Sequence, residues 1–342
     1  MPGSHAEASA GAAPEVSVIV TSRERRDALL DTLRALAVQT LPGTAYEVLV
    51  VDDGSSDGTF EAASALQVPY DLRVLRHPQQ RGVAAGRNTA IRDARGRVLV
   101  FLSDDLLVPD GFLAAHLATL ARHPGAWVVG GFRQLPSLRA TPFGRYLDDL
   151  EESFTDARKQ TPVGPDLWEL HWPTARNLSL PRADFEAVGP FDERFRSTCE
   201  DQDLAERARA AGIRFLYDAS IDCLHNDQAG DLLRCCRAQR RGTHDTALFC
   251  AKHPGRHGDS PFARANGPWS PRDGALLTVK KGAKWLLSRD PMLALLDRAV
   301  PWLEHVRLPE PLLRRAYRGL IGLYTFRGWR EGLATLERGS RP

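Results

Sequence analysis

A pair of acidic residues, Asp104 and Asp105, follows the apolar run Val98 to Leu102 after a single residue, Ser103. Two neighbouring carboxylates repel each other unless a cation or hydrogen-bond donors lie between them. A hard divalent cation is the simplest neutraliser, and it could bridge carboxylate oxygens and the phosphate oxygens of a diphosphate ester. Such an ion would stabilise the charge on a departing phosphate group. The alternative is that Asp104 or Asp105 only caps a helix that starts near Pro109.

A second acidic pair, Asp52 and Asp53, ends the apolar run Tyr46 to Val51 and opens a turn rich in Gly and Ser. Turn formation explains the Gly and Ser residues well. It explains less well two acids at the end of a buried strand, where a carboxylate needs a hydrogen-bond donor. The imide N–H of a pyrimidine base would be such a donor, so we expect Asp53 to bind a nucleobase.

The apolar patterns of the first hundred residues predict the sheet that would position these acids. The β-branched run Val16 to Val20 is typical of a strand buried on both faces, and strand-like and helix-like patterns then alternate. This alternation predicts crossover units and a parallel α/β sheet. Ligands of such sheets bind outside the carboxyl ends of the strands. We therefore expect one polar edge, formed by Thr21-Ser22-Arg23, Asp52-Asp53-Gly54 and Ser103-Asp104-Asp105.

The composition excludes several classes of protein. With 342 residues, the chain is long enough for two domains or for one large domain with an appendage. A content of 43% hydrophobic and 26% charged residues excludes disordered and fibrous classes. A net charge of +2 argues against a nucleic-acid binder that relies on phosphate neutralisation. The five cysteines have no CxxC spacing, so we expect reduced thiols rather than disulfides or a zinc site.

The sequence predicts no membrane-spanning helix, because no run of 18 apolar residues is present. Its first fourteen residues lack the basic and apolar regions of a signal peptide, and we interpret them as a disordered tail. We therefore expect a cytoplasmic protein. The C-terminal region has helical propensity and many leucines among arginines, which favours a helical appendage packed on the main domain. The alternative is an interfacial segment that faces anionic lipid at the inner face of the membrane.

Five segments, in the same order and at the same spacing, resemble the inverting glycosyltransferases of family 2. The resemblance extends from about Val16 to Asn226, and it implies the GT-A fold: a mostly parallel, Rossmann-like α/β sheet flanked by helices. Each motif alone is moderately specific, but five in sequence are hard to obtain by chance. The matching segments are Val16 to Ser22, Val50 to Thr59, Gly82 to Ala90 with Arg87-Asn88, Phe101 to Asp105, and Gly189 to Phe195 leading to Glu200-Asp201-Gln202-Asp203-Leu204.

The resemblance implies a role for each matching residue on the donor side. Thr21 and Asp53 would hold the nucleobase, usually uracil. Arg87 would lie near the base or the diphosphate, and Asp104 near the ribose. Asp105 would bind a Mn²⁺ or Mg²⁺ ion.

The resemblance also places a catalytic pair, Glu200 and Asp201, in the family's Glu-Asp signature, with Asp201 as the general base. A sugar hydroxyl is too weakly acidic to attack unaided, so a carboxylate within about 3 Å must accept its proton. The alternative is an acidic helix N-terminus that interacts with the helix dipole, which is our interpretation of Asp203. Some relatives have a metal-ligating histidine near His225, where a neutral imidazole would be a good third ligand; the alternative is a structural histidine.

Together these features predict a metal-dependent, inverting glycosyltransferase that moves one sugar from a nucleotide-diphosphate sugar, in the first place a UDP-sugar, to an acceptor hydroxyl. The acceptor could be a glycan, a lipid-linked sugar or a small natural product. One alternative is a nucleotidyltransferase, which lacks support because no glycine-rich phosphate loop with a following basic residue comes after the first strand. The other is a noncatalytic nucleotide-sugar or glycan-binding protein. The presence of both Asp105 and Asp201 argues against it, because binding alone needs no proton acceptor.

The sequence predicts five parts of the chain. They are a tail (1–14), a nucleotide-sugar-binding half (15–125), an acceptor-binding and catalytic half (126–253), a linker (254–274) and a helical region (275–342).

Overall fold

The computed structural model describes residues 13–226, 231–258, 260–306 and 308–339. Within these ranges, ten strands form a single sheet. Most of the predicted tail, residues 1–12, lies outside the described residues. The strands are β1 (Val16–Ser22), β2 (Tyr46–Asp52), β3 (Asp71–Arg76), β4 (Val98–Ser103), β5 (Leu106–Leu107), β6 (Ala126–Gln134), β7 (Lys159–Gly164), β8 (Leu167–Leu170), β9 (Asn177–Pro181) and β10 (Arg214–His225).

The sheet has a parallel half and a mixed half. Its order is β3-β2-β1-β4-β9-β6-β10-β8-β7, with β5 paired to β10. The first four strands in this order are parallel, as the sequence predicts. Beyond β4 the sheet is mixed, because β9 runs antiparallel to both β4 and β6, and β8 runs antiparallel to β10. The α/β sheet is confirmed, and the parallel arrangement is confined to its first half and to the pair of β6 and β10.

Helices cover both faces of this sheet and form a C-terminal group. They are α1 (Arg26–Leu36), α2 (Thr59–Ser64), α3 (Val83–Asp93), α4 (Phe112–Arg122), α5 (Pro142–Arg158), α6 (Arg182–Val188), α7 (Glu200–Ala210), α8 (Leu232–Lys252), α9 (Pro261–Asn266), α10 (Ala275–Leu287), α11 (Asp290–His305) and α12 (Glu310–Gly339). Residues 254–274, which the sequence predicts as a linker, include α9 and a π-helical turn at Pro254–Gly258.

The alternation of side chains along β1 divides the core into two layers. Ile19 packs with residues of α3, α6 and α7 on one face of the sheet, whereas Val18 and Val20 pack with residues of α1 and α4 on the other. Successive side chains of a strand point to opposite faces, so a strand covered on both sides needs apolar residues throughout. This explains the mainly β-branched sequence of β1, in which the buried Ser17 donates to Glu47 Oε1 at 2.6 Å.

The C-terminal helices pack on the sheet domain through α8 and α5. Leu293 and Val300 of α11 and Tyr317 of α12 belong to one buried cluster with Phe143 of α5 and Cys236 of α8. No helix in the described ranges has the length and apolar character that crossing a bilayer requires. The C-terminal helices therefore share a buried cluster with α5 and α8 that is separate from the two clusters of the sheet.

Candidate active site

A cleft of about 1370 Å³ opens where the parallel half of the sheet meets α7 and α8. Its lining includes residues that follow β1 and β4 and the last residue of β10: Arg23, Asp105 and His225. α5, α7 and α8 supply further lining, including Phe154, Gln202 and Arg241. A cleft at the carboxyl ends of strands is the usual ligand site of an open α/β sheet.

Asp105 and His225, 120 residues apart in sequence, are in contact in the cleft. The His225 Nε2 atom lies 3.0 Å from Asp105 Oδ2, and the Asn226 N–H donates to the Asp105 carbonyl oxygen at 2.7 Å. Strand pairing fixes this contact, because the antiparallel register of β5 and β10 sets His225 opposite Leu106. Gln134 holds the other side of the ring, with its Nε2 atom 3.0 Å from His225 Nδ1.

Arg25, which the sequence analysis assigned no role, lies between the two acids that follow β4. Its Nη1 atom is 2.5 Å from Asp105 Oδ2 and 3.3 Å from Asp104 Oδ1. Ser22, at the end of β1, donates to Asp104 Oδ2 at 2.6 Å. A guanidinium therefore provides positive charge between the neighbouring carboxylates, as their repulsion requires.

The two acids have opposite shifts of pKa. Burial and the neighbouring charge of Asp105 raise the pKa of Asp104 to about 6. Burial also acts to raise the pKa of Asp105, but the hydrogen bond and charge of His225, together with Arg25 and Arg176, outweigh it and hold that pKa well below its usual range. Asp105 is thus the more acidic of the two carboxyl groups, and a metal ligand must be ionised.

The donor atoms at Asp105 fit a divalent cation that phosphate oxygens also hold. Asp105 Oδ1 is buried and has no hydrogen-bond partner in the structure. A carboxylate oxygen and an imidazole nitrogen are suitable ligands for Mn²⁺, and Mg²⁺ accepts one or two carboxylates plus substrate phosphates. Across the described residues, no cluster of three or more His, Cys, Asp or Glu side chains forms a complete metal site. The chain therefore offers part of a coordination shell, and a bound diphosphate would have to complete it.

Asp53 lies at the end of β2 and accepts hydrogen bonds from the loop that leads into α3. Its Oδ1 atom accepts from the Arg81 N–H at 2.8 Å and lies 2.8 Å from His77 Nδ1, and its Oδ2 atom accepts from the Gly82 N–H at 2.8 Å. Gly82 has φ +102°, and an added Cβ would lie 2.7 Å from the Arg196 Cα. Asp53 therefore fixes the loop at a position where only glycine fits without strain.

Thr21 lies on β1 beneath the first turns of α3. A Cβ added at Gly86 would lie 2.7 Å from the Thr21 methyl group, so the helix passes very close to the strand. This close approach brings Arg87, the next residue of α3, into the interior. Thr21 and Asp53 thus both lie next to the start of α3, and a nucleobase contact for either stays a prediction.

Arg87 and Glu200 form a buried ion pair between α3 and α7. The Arg87 Nη2 atom also donates to the Ala175 carbonyl oxygen at 2.9 Å, and its guanidinium lies 5.4 Å from the ring centre of Phe191. Burial and the charge of Asp201 raise the pKa of Glu200 to about 7, against the opposing charge of Arg87. In this structure Arg87 is thus bound to the Glu-Asp segment, and a contact with the donor stays a prediction.

Asp201 is partly exposed at the N-terminus of α7, next to Gln202, which lines the cleft. Its Oδ2 atom accepts from the Ala175 N–H at 3.1 Å. The residue after Ala175, Arg176, has its Nη2 atom 3.4 Å from His225 Nε2, and its carbonyl oxygen accepts from the Ser103 N–H at the end of β4. Ala175 and Arg176 therefore connect the predicted base to the group around Asp105.

Asp245 of α8 holds the segment that leads into α7. Its Oδ2 atom accepts from three consecutive backbone N–H groups, those of Arg196, Ser197 and Thr198, at 2.7 to 3.2 Å. Cys199, the next residue, has φ +69°, a left-handed conformation that is uncommon outside glycine. Strained backbone held by surrounding hydrogen bonds is frequent at functional sites. The start of α7 is therefore held by Arg87 of α3, through Glu200, and by Asp245 of α8.

Replacement of Arg87 by Met is expected to destabilise the protein by about 3–5 kcal/mol, because it leaves the buried Glu200 carboxyl without its partner. The double variant Arg87→Met, Glu200→Met is expected to lose less than Arg87→Met alone, since no uncompensated carboxyl remains. Urea unfolding of the wild type, both single variants and the double variant measures the coupling free energy. Additive effects of the two single substitutions would contradict the ion pair.

The fold defines a class of enzyme, a GT-A-type transferase, and the cleft is lined by Asp105 after β4 and by Gln202 and Glu206 of α7. Residues 17–169 match the family Glycosyl transferase family 2. A glycosyltransferase of Haloferax volcanii, AglE, is 32% identical over 224 residues, which cover 65% of this chain and 70% of that protein. An uncharacterized glycosyltransferase of Bacillus subtilis, YfnE, is 27% identical over 299 residues, 75% of each chain.

Solved structures agree on the fold. The mannosyltransferase PcManGT from Pyrobaculum calidifontis, in complex with GDP-Man and Mn²⁺, has a TM-score of 0.56 and 21% identity, covering 94% of this chain and 89% of that one. TarS of S. aureus has a TM-score of 0.50 and 18% identity, covering 92% of this chain and 55% of that one. The chain belongs to glycosyl transferase family 2 and is a glycosyltransferase with the GT-A fold.

Proposed function

We propose that the protein is a metal-dependent, inverting glycosyltransferase that moves one sugar from a nucleotide-diphosphate sugar to an acceptor hydroxyl, with Asp201 as the general base. The observation that carries this proposal is the connection through Ala175 and Arg176. This short segment contacts Asp201 on one side and His225 on the other. The proposed base is thus linked through two residues to the proposed metal ligands, and its neighbour Gln202 lines the same cleft as Asp105 and His225.

On the donor side, Asp105 and His225 would hold a Mn²⁺ or Mg²⁺ ion together with the donor diphosphate. The bound ion supplies Lewis-acid neutralisation of the charge on the departing nucleoside diphosphate. Arg25 is already in contact with Asp104 and Asp105, so it holds both carboxylates in position. Asp104 would accept a hydrogen bond from a ribose hydroxyl, and Asp53 and Thr21 would contact the nucleobase. UDP is our first expectation for the nucleotide, and GDP is the second because PcManGT was solved with GDP-Man.

Three further arginines support a polyanionic ligand in this cleft. Arg23 follows β1, and Arg234 and Arg241 lie seven positions apart on α8, so that the helix presents both to the cleft. The side chains of these three arginines form no ion pair or hydrogen bond within the described residues. Burial, followed by the positive charges of Arg23, Arg234 and Arg237, lowers the pKa of Arg241. These neighbouring cations repel one another, and a bound diphosphate would neutralise their charge.

On the acceptor side, Asp201 would take the proton from the attacking hydroxyl. Its Oδ2 atom is already held by the Ala175 N–H, which fixes the orientation of the carboxylate before the acceptor binds. The wall of the cleft nearby is aromatic, with Trp172 and the half-exposed Phe154. The Trp172 Nε1 atom is buried without a hydrogen-bond partner, so a sugar hydroxyl could satisfy it. Attack by the activated hydroxyl opposite the leaving diphosphate would invert the anomeric centre.

The test of this function is a panel of UDP-, GDP- and other nucleotide sugars, assayed for release of the nucleoside diphosphate with Mn²⁺, with Mg²⁺ and after chelation by EDTA. We expect turnover with one donor class, loss of turnover on chelation and recovery when the metal is restored. Nuclear magnetic resonance of the product reports the anomeric configuration, which inversion requires to be opposite to that of the donor. Turnover that is unchanged by chelation, or a retained configuration, would contradict the proposal.

Replacement of Arg241 by Gln is expected to weaken nucleoside-diphosphate binding about tenfold, because one charge-assisted hydrogen bond to the diphosphate is lost. Binding of the corresponding nucleoside, which has no phosphate, is expected to stay unchanged. Isothermal titration calorimetry with both ligands measures the difference. Arg318→Gln, an exposed arginine of α12 outside the cleft, is the matched control. An equal effect on both ligands would show that Arg241 does not contact phosphate.

A further inference from the structure

The outer side of the two helices α10 and α11 carries an unusual number of exposed apolar side chains. On α10, Leu276, Val279 and Leu286 recur at helical spacing, and Leu276 and Val279 are each 69% exposed. On α11, Leu295 and Trp302 do the same, at 59% and 61% exposure, and Val306 directly follows the helix and is 44% exposed. We call these six residues the outer face. Contiguous apolar surface of this kind marks an interaction site.

Both α10 and α11 also have a side that packs against the rest of the protein. α11 already buries Leu293 and Val300 in the cluster it shares with α12. α10 is anchored by Lys281, whose Nζ atom donates to Asp273 Oδ2 at 2.7 Å and to the Pro268 carbonyl oxygen at 2.8 Å. Both helices therefore have a packed side, and the outer face is a second apolar side directed to the surroundings.

The charges around the outer face are positive. Lys280 and Arg298 are exposed and form no ion pair in the part of the chain that the structure describes. Arg289 is also exposed, and its guanidinium lies 4.2 Å from the ring centre of the half-exposed Trp285. Cations at the rim of an apolar helix face, accompanied by tryptophan, are typical of helices that lie in the interface of an anionic bilayer.

Two of the three acidic side chains of α11 are directed toward α12. Asp297 accepts from the Tyr324 hydroxyl at 2.8 Å, and Glu304 accepts from the Tyr317 hydroxyl. The third, Asp290, is exposed and ion-paired with Arg327. α10 contains no acidic residue. The exposed cations Lys280, Arg289 and Arg298 therefore have no ionic partner among the described residues.

We propose that the outer face of α10 and α11 binds the surface of an anionic lipid bilayer, with both helices lying in the plane of the interface. A second copy of the chain is a poorer occupant, since a two-fold contact would bring Lys280, Arg289 and Arg298 of both copies together. Neither helix is long and apolar enough to cross the bilayer, so contact is peripheral. The proposal is independent of the reaction assigned to the cleft.

The test is sedimentation of the full chain with phosphatidylcholine vesicles, with and without phosphatidylglycerol. We expect binding to the anionic vesicles, weakened by high salt, and quenching of tryptophan fluorescence by brominated acyl chains, because Trp302 of the outer face would reach them. Substitution of Leu276, Leu295 and Trp302 by Gln is expected to reduce binding at least about tenfold, because apolar burial in the interface is lost. Lys280→Gln, Arg298→Gln is expected to weaken binding to the anionic vesicles selectively.

Val38→Gln, Val163→Gln is the matched control, because both residues are exposed apolar side chains far from α10 and α11 in the sequence. This variant is expected to bind like the wild type, and thermal unfolding of every variant checks the fold. Absence of vesicle binding, or equal binding by the triple variant, would overturn the proposal. Sedimentation velocity without lipid is the last arm: a dimer that dissociates in the triple variant would assign the outer face to a second copy and overturn the lipid assignment.

Discussion

Asp201→Asn is expected to lower the rate of sugar transfer by about 10²–10⁴-fold while nucleotide binding persists, because an amide cannot take the proton of the acceptor hydroxyl. Asparagine has nearly the same shape, and its side-chain oxygen can still accept from the Ala175 N–H. Asp201 Oδ1 also accepts from the Gln202 N–H at 2.8 Å, so asparagine keeps one of the two backbone contacts and loses the other together with the basicity. Steady-state transfer rates and calorimetric titration of the nucleoside diphosphate, both with Mn²⁺, measure the two effects separately.

The matched control for this variant is Glu186→Gln, a carboxyl-to-amide change in an exposed ion pair with Arg182 on α6. It is expected to leave both transfer and nucleotide binding unchanged. A second comparison is Asp203→Asn, since Asp203 lies in the same turn but is fully buried and bound to Lys252 and His253. That change is expected to lower stability rather than to remove the base. Undiminished turnover in Asp201→Asn would rule out Asp201 as the base.

Asp105→Asn is expected to abolish the enhancement of nucleotide binding by Mn²⁺ and to lower transfer at least about 100-fold, because the cation and the diphosphate lose their shared carboxylate. The physical reason lies in the buried Oδ1 atom of Asp105, which has no hydrogen-bond partner in the structure. Calorimetry with the nucleoside diphosphate, in the presence and absence of Mn²⁺, measures the effect.

Two controls separate this outcome from a folding defect. Asp222→Asn removes a carboxylate three residues before His225 that is ion-paired with Arg133 outside the cleft, and it is expected to retain metal-dependent binding. Thermal unfolding of Asp105→Asn shows whether Arg25 and His225 tolerate the loss of their partner. If a folded Asp105→Asn protein bound the nucleotide with the wild-type dependence on Mn²⁺, the proposed metal ligand would be wrong.

The parallel half of the fold could be predicted because the burial of its strands is visible in their apolar sequences. β1, β2 and β4 are covered on both faces, so each is a largely apolar run that ends in polar residues. The two polar exceptions inside these runs, Ser17 and Glu47, are hydrogen-bonded to each other. The same argument predicts that the polar residues at the strand ends share one edge. The position of Arg25 could have been inferred in the same way. β1 and β4 are neighbouring parallel strands, so an arginine shortly after β1 is expected near the acids that follow β4.

The mixed half could not be predicted to the same degree, because its strands depend on partners distant in sequence. The apolar pattern of β10 ends at Tyr217, whereas the strand continues to His225 after an irregularity between Asp218 and Asp222. That extension exists because β5 and β6 provide hydrogen-bonding partners. The contact of His225 with Asp105 follows from this pairing, so no local pattern around His225 could reveal it.

α5 escaped the sequence analysis for a related reason. Its apolar residues Phe143 and Tyr146 pack against Tyr317 of α12, about 170 residues later in the chain. Helical periodicity in that segment is diluted by acidic residues, since one side of the helix borders the cleft. The ion pair of Arg87 with Glu200 is another case, because either residue alone is equally consistent with substrate binding.

The central claim is that Asp105, His225 and Asp201 surround one metal-bound nucleotide sugar. The most direct measurement is a crystal structure of Asp201→Asn with Mn²⁺ and the donor found in the panel, recorded at a wavelength where manganese scatters anomalously. We predict an anomalous peak beside Asp105 and His225, with the donor diphosphate on the ion and residue 201 facing the anomeric carbon. A manganese peak elsewhere, or a donor bound away from the carboxyl ends of β1 and β4, would contradict the account.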